Sequence, residues 1–138
     1  MIRLDQQYYR TSVYTVPDTA RAIATVNLRG APISALTETE CMNLILYELD
    51  AGRGGWLITM NLDHLRRFEQ EPAYALLVRR ASFLIADGMP LVWASRLQGT
   101  PLPERIAGSN LIWSLTQAAA EQRRSILLLG GTSYAITR

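Results

Sequence analysis

Three short, continuously apolar runs alternate with amphipathic helical segments in the second part of this chain. The runs are WLITM at residues 56–60, SFLIA at 82–86 and SILLL at 125–129. Strands that are apolar on both faces are covered on both faces, and strands that alternate with helices form parallel sheets with right-handed crossovers. The pattern therefore predicts an α/β fold built on a parallel sheet.

The expected architecture is Rossmann-like, with helices on both faces of the sheet and a short N-terminal β/α segment before it. In that segment, Thr37 and Glu40 have the spacing of a capping box, which predicts a helix running to about Asp50. Residues 1–20 are polar and lack a clear period, so we expect a loosely ordered leader followed by one partial α/β domain over residues 21–138. The last strand–turn–helix unit has only begun at residue 138, and we expect the C-terminal part of the fold to be missing.

Composition excludes several classes of protein. The chain has 138 residues, of which 49% are hydrophobic and 19% charged, and this profile is typical of a globular chain rather than a disordered one. No apolar run is long enough for a membrane span, and the single cysteine, Cys41, excludes an internal disulfide framework. All fourteen basic residues are arginines, but they are scattered, so we expect no nucleic acid partner.

The candidate site lies where the strands end, because open parallel sheets bind ligands at the carboxyl ends of their strands. Asp87 follows SFLIA directly, and partial dehydration there would adapt a carboxylate to act as a general base. Gly88 would let a ligand approach closely. The alternative is that Asp87 only caps the helix that follows.

Other polar groups share this predicted edge, each with a plainer interpretation. Thr59 and Asn61 could hydrogen-bond a sugar or a nucleobase, or could simply end a strand and cap a helix. The pair at 130–131, Gly130-Gly131, could seat a phosphate at a helix N-terminus or form an ordinary turn. Arg105 could bind a phosphate, could pair with Asp87 or Glu104, or could be a solvated surface residue.

Several remaining residues are predicted to be structural. His64 has no cysteine or histidine partner at ligand spacing, so we expect no metal site. Cys41, Trp93 and Trp113 are interpreted as core residues, and a hydroxyl or amide at 109–110 is expected to cap the helix that follows.

Taken in order, these motifs resemble one family. They are T-x-N at 59–61, ADGxPxVWA at 86–94, GxPLPERxAG at 99–108 and LLGG at 128–131. Together they are similar to the WecG/TagA/CpsF glycosyltransferases, and the match extends from about residue 23 to the last residue. The segment from 87 to 108 is specific in order, spacing and residue type.

The resemblance implies a bacterial, metal-independent, inverting glycosyltransferase without a cofactor, acting at the cytoplasmic face of the plasma membrane. The donor would be a UDP-sugar carrying N-acetylmannosamine, its uronic acid or glucose, and the acceptor a polyprenyl-diphosphate-linked sugar. Products of the family enter wall teichoic acid, enterobacterial common antigen, capsule or exopolysaccharide. Peripheral membrane contact is expected through the missing C-terminal part.

The resemblance also implies roles for single residues. Asp87 would be the catalytic base, Thr59 and Asn61 would line the substrate pocket, and Arg105 would bind substrate. The turn at Gly130 and Gly131 would lie on the nucleotide side.

Two other functions stay open at this point. One is a catalytically inactive remnant, or a partner-binding scaffold with the same fold. The other, a nucleotide-binding oxidoreductase, is disfavoured because the GxGxxG fingerprint is missing. An open third strand would also favour self-association, so a homo-oligomer is a possible state.

Overall fold

The computed structural model describes residues 23–130. The predicted leader at 1–20 lies outside this range. The elements are, in chain order, β1 (Thr25–Leu28), β2 (Ala31–Ser34), α1 (Glu38–Asp50), β3 (Leu57–Met60), α2 (Leu62–Gln70), α3 (Pro72–Val78), β4 (Phe83–Ala86), α4 (Met89–Leu97) and α5 (Gly108–Glu121).

The strands form two small sheets. β1 and β2 pair as an antiparallel hairpin, and β3 and β4 pair in parallel with Leu57 opposite Phe83 and Met60 opposite Ala86. The parallel pair with its flanking helices confirms the predicted α/β class. The second edge of β4 is also covered, because the N–H of Leu84 donates to the Ser34 hydroxyl at 3.4 Å.

Local sequence explains where the first helices begin. The Thr37 hydroxyl accepts a hydrogen bond from the Glu40 N–H, and the Glu40 carboxylate accepts one from the Thr37 N–H, so the predicted capping box is confirmed. The pKa of the Glu40 carboxyl is lowered first by the hydrogen bond from the Thr37 N–H and then by one that the Thr37 hydroxyl donates to Glu40 Oε2 at 2.9 Å. Pro72 begins α3, where its fixed φ suits a first helical turn.

The core consists of two clusters that meet at β4. The larger one joins the hairpin, both parallel strands, α2, α3 and α4, and includes Ile33, Met60 and Leu91. The smaller one joins α1, β4 and α5 through Cys41, Ile85, Ile106 and Leu111. Cys41 is fully buried, as predicted, and this burial together with the negative charge of Glu38 raises the pKa of its thiol to about 11.

The predicted third strand at 125–129 is wrong. These residues have no regular secondary structure, and Leu127 and Leu129 are 86% and 95% exposed. A strand is stabilised by pairing with a neighbouring edge. One edge of β4 pairs with β3, the other is covered by Ser34 and Ile106, and the β3 carbonyl of Thr59 is bound by His64.

Two predicted core aromatics are also on the surface. Trp93 in α4 and Trp113 in α5 are 55% and 75% exposed, so their interpretation as core residues is wrong. In α4 the buried positions are Leu91, Val92 and Ser95, which leaves Trp93 on the outer face of the helix. None of the helices within residues 23–130 has the length and hydropathy needed to cross a bilayer.

Candidate functional site

Asp87 lies at the carboxyl end of β4, half-buried, and is fixed by two hydrogen bonds. Its N–H donates to the Met60 carbonyl of β3 at 2.8 Å, and its Oδ2 accepts from the Gly108 N–H at 3.2 Å. The alternative that Asp87 caps α4 is wrong, because α4 has Gly88 at its N-cap and no side-chain capping bond. The carboxylate instead meets the first turn of α5.

Gly88 lets the chain turn from β4 into α4 immediately after this carboxylate. Its φ of +153° and ψ of 133° lie in a region that favours glycine. Backbone conformation is therefore sufficient reason for a glycine at 88, and the close approach of a ligand stays a prediction.

The chain between α4 and α5 runs back along β4, and this brings Gly108 to Asp87. The Ile106 N–H donates to the Ala86 carbonyl at 2.8 Å, so Ile106 lies beside β4 as a further strand residue would. α5 begins two residues later at Gly108, with Ala107 as N-cap and no side-chain cap. The expected cap at 109–110 is wrong.

Thr59 in β3 lies against Gly108 and so forms one cluster with Gly108 and Asp87. A Cβ built on Gly108 would lie 3.0 Å from Thr59 Cγ2 and 3.5 Å from Thr59 Oγ1, so the two residues are in close contact. The structure thus brings Thr59 and Asp87, 28 positions apart in number, together around Gly108. Both side chains are half-buried.

Asn61 is exposed and caps α2. Its Oδ1 accepts a hydrogen bond from the His64 N–H at 2.9 Å, which agrees with the plainer interpretation of this residue. The amide NH₂ of Asn61 makes no protein hydrogen bond within residues 23–130.

His64 organises this segment in a way that sequence reasoning missed. Its Nδ1 donates to the Thr59 carbonyl at 3.0 Å, while its N–H binds the Asn61 side chain. The spacing of a capping Asn and a His three residues later was a visible signal. His64 therefore fixes the positions of Thr59 and Asn61 relative to each other.

Arg105 is exposed, and its guanidinium makes no ion pair or hydrogen bond among the described residues. The predicted pairs with Asp87 or Glu104 are therefore not formed. Glu104 Oε1 instead accepts from the Glu38 N–H at the start of α1, at 2.5 Å. Both chain neighbours of Arg105, Glu104 and Ile106, are held by hydrogen bonds. The backbone of Arg105 is therefore held in place, while its charge remains available to a ligand.

Ser95 fastens the start of this loop to α4. Its buried hydroxyl donates to the Val92 carbonyl at 2.7 Å and accepts from the Leu102 N–H at 2.9 Å. The loop that carries Arg105 and leads to Gly108 is therefore tied to the helix that follows Asp87.

The predicted nucleotide-side turn is described only in part. Gly130 has a φ of +106°, which suits a turn, but it is exposed, and a Cβ placed on it would meet no atom within 4 Å. Gly131 lies outside the described residues. No atom of Asp87 lies within 4 Å of the Cβ position built on Gly130.

Comparison with known proteins identifies the family. The sequence profile of the glycosyl transferase WecG/TagA/CpsF family matches residues 26–138. The chain belongs to this family. The resemblance deduced from the motifs is thereby confirmed.

The chain is also similar in sequence to a curated protein whose activity is named. It is the N-acetylglucosaminyldiphosphoundecaprenol N-acetyl-beta-D-mannosaminyltransferase of Bacillus spizizenii, which is 32% identical over 88 residues. That alignment covers 64% of this chain and 34% of the relative, so the chain spans about a third of the length of that protein.

The cluster of Thr59, Asp87 and Gly108 contains one ionisable side chain, the Asp87 carboxylate. No three His, Cys, Asp or Glu side chains in residues 23–130 lie close enough to share a metal ion. An apolar cleft is present at the other end of the strands, lined by residues including Leu49, Trp56 and Phe83. It is separate from the cluster, which lies at the carboxyl ends of β3 and β4.

Proposed function

We propose that this chain acts as an inverting glycosyltransferase, with Asp87 as the general base. The observation that carries the proposal is the contact of Asp87 with Gly108 beside Thr59, in a member of a glycosyl transferase family. A half-buried carboxylate held by a backbone N–H has a defined orientation, which a general base requires.

The reaction is a single displacement. A hydroxyl oxygen of the acceptor attacks the anomeric carbon of the donor sugar, on the face opposite the nucleotide. The bond from that carbon to the diphosphate oxygen breaks, and UDP leaves with the electron pair. The hydroxyl proton passes to Asp87, and the configuration at the anomeric carbon inverts.

The remaining site residues bind and orient the substrates. Thr59 contributes a hydroxyl next to the base, and Asn61 contributes an amide NH₂ whose partner oxygen is already engaged by His64. Arg105 supplies a guanidinium that has no partner among residues 23–130 and suits a diphosphate. Gly130 and Gly131 remain candidates for the nucleotide side. With these donors, the leaving group is stabilised without a metal ion or cofactor.

The substrates proposed are a UDP-sugar and a polyprenyl-diphosphate-linked sugar, as used in teichoic acid or other bacterial surface polysaccharide synthesis. The name of the Bacillus relative specifies a diphosphoundecaprenol-linked N-acetylglucosamine acceptor and an N-acetylmannosaminyl group for that protein. N-acetylmannosamine is therefore the first donor to test here, ahead of its uronic acid and glucose. Because such an acceptor is embedded in lipid, we propose that the chain acts at the inner face of the plasma membrane.

The test is direct transfer. The chain is incubated with UDP-N-acetylmannosamine and a polyprenyl-diphosphate N-acetylglucosamine, with and without EDTA, and the product is analysed by mass spectrometry and NMR. The proposal predicts an EDTA-insensitive disaccharide product whose new linkage has inverted configuration. Retained configuration, or no product with any of the three donors, would contradict it.

A further inference from the structure

A glycine is often required where the backbone has a positive φ, but this reason does not apply to Gly108. Its φ is not among the positive values found at Gly30, Gly52, Gly88, Gly99 and Gly130. As the first residue of α5 it has a helical backbone that any L residue could adopt. A positive φ therefore does not account for glycine at 108, and the structural constraint that remains is the space around its Cα.

The space is set by Thr59. A Cβ on Gly108 would approach Thr59 Cγ2 to 3.0 Å, closer than ordinary van der Waals contact. A larger residue at 108 must therefore push the first turn of α5 away from β3, or turn the Thr59 side chain. Either shift moves a group that the proposed reaction uses.

The same residue holds the carboxylate. The Gly108 N–H donates to Asp87 Oδ2 at 3.2 Å, whereas Oδ1 accepts no hydrogen bond from a protein group in the described part of the chain. One carboxylate oxygen is thus held by the protein and the other is left for the substrate.

We infer that Gly108 is a positioning residue for glycosyl transfer: its bare Cα seats α5 against Thr59, and its N–H holds Asp87 Oδ2 so that Oδ1 receives the acceptor proton. The inference rests on the proposed function. It assigns Gly108 no contact with substrate; it acts through Thr59 and Asp87.

A set of paired variants separates the contact from the hydrogen bond. Gly108→Ala adds the Cβ and keeps the N–H. Thr59→Ser removes Cγ2, the atom that the new Cβ would meet. Gly108→Pro also removes the N–H. Proline is tolerated at the first helical position, and the ψ of 130° at Ala107 suits a residue before proline.

We expect the effects of the substitutions at 108 and 59 on kcat to be non-additive. Gly108→Ala should lower kcat by at least about tenfold with a smaller change in KM, because small displacements of catalytic groups are costly. In the Thr59→Ser background the same substitution should cost less than about threefold, whereas Gly108→Pro there should still cost about tenfold or more. Gly54→Ala is the matched control, since Gly54 has no positive φ and no atom near its Cβ position.

An NMR measurement reports on the geometry without any turnover. The backbone amide proton at position 108 should move upfield in Asp87→Ala and in Gly108→Ala. It should return towards its original shift when Gly108→Ala is combined with Thr59→Ser. Melting temperatures of all variants identify any that fail to fold. If Gly108→Ala alone fails to fold, the double variant Gly108→Ala with Thr59→Ser is compared with Thr59→Ser.

The outcomes distinguish the two proposals. An active chain in which Gly108→Ala costs the same kcat in both backgrounds, or in which the amide at 108 ignores Asp87→Ala, would overturn the role of Gly108 alone. Absence of transfer by the unsubstituted chain would overturn the proposed function, and the role of Gly108 in catalysis with it, even if the NMR response is as expected.

Discussion

The Oδ2 atom of Asp87 accepts a hydrogen bond from the backbone N–H of Gly108, 21 residues further along the chain, at 3.2 Å. This bond joins the end of β4 to the start of α5, a helix without a side-chain cap of its own. Asp87 therefore stabilises the fold in addition to its proposed part in the reaction, and the two roles can be separated by substitution.

Asp87→Ala should lower the free energy of unfolding by about 0.5–2 kcal/mol, because a first-turn N–H of α5 loses its acceptor and the positive end of the helix loses a negative charge. Asp87→Asn keeps a side-chain oxygen and should cost only a few tenths of a kcal/mol. Urea denaturation measures both. Equal destabilisation by the two substitutions would show that the charge, rather than the acceptor, supports α5.

The ends of α1 and α5 give a matched pair of capping tests. Thr37→Ala should cost about 1 kcal/mol, since the Thr37 hydroxyl accepts from the Glu40 N–H at 3.2 Å. Ser109→Ala should be within about 0.5 kcal/mol of the unsubstituted chain, because Ser109 lies inside α5 and caps nothing. A cost at Ser109 as large as that at Thr37 would restore the original expectation of a cap at 109–110.

Ser95 is the buried anchor of the loop that delivers Gly108. Ser95→Ala should lower the free energy of unfolding by roughly 1–3 kcal/mol, because the buried Leu102 N–H loses its acceptor. It should also increase hydrogen exchange at Leu102 in the native state. Unchanged exchange at that amide would show that the loop is held by packing alone.

Cys41 links stability to pH. Burial, with the negative charge of Glu38, raises the thiol pKa from 9.0 to about 11 in the folded chain. A raised folded pKa means that this contribution to stability is fully present below pH 9 and is lost as pH rises towards 11. The difference in unfolding free energy between the original chain and Cys41→Ala should therefore shrink over that range, and a constant difference would contradict the assignment.

What could be predicted from the sequence depends on how far apart the interacting residues are. The capping box at Thr37 and Glu40 and the helix start at Pro72 are local, so the residue types alone predict them. The Asp87–Gly108 bond is not local, because it requires residues 98–107 to turn back along β4. No periodicity in residues 98–107 or in the strand that they follow indicates that the chain turns back in this way.

The incorrect third strand and the incorrect burial of Trp93 have one cause. Hydrophobicity indicated that residues 125–129 and Trp93 should be buried, but burial needs a partner surface, which hydrophobicity does not specify. In the described residues the edges of β4 are already covered, and α4 buries Leu91 and Val92 instead of Trp93. Thr59 and Asp87 come together at Gly108 because the ends of neighbouring parallel strands converge by topology, whereas the positions of Arg105 and Gly130 depend on loops. The functional roles of these residues stay predictions.

The turnover number of Asp87→Asn at saturating donor and acceptor tests directly whether Asp87 is the general base. This variant keeps a hydrogen-bond acceptor for Gly108 but cannot take a proton, so kcat should fall by about 10²–10⁴-fold with the fold preserved. Turnover close to that of the unsubstituted enzyme would contradict Asp87 as the base.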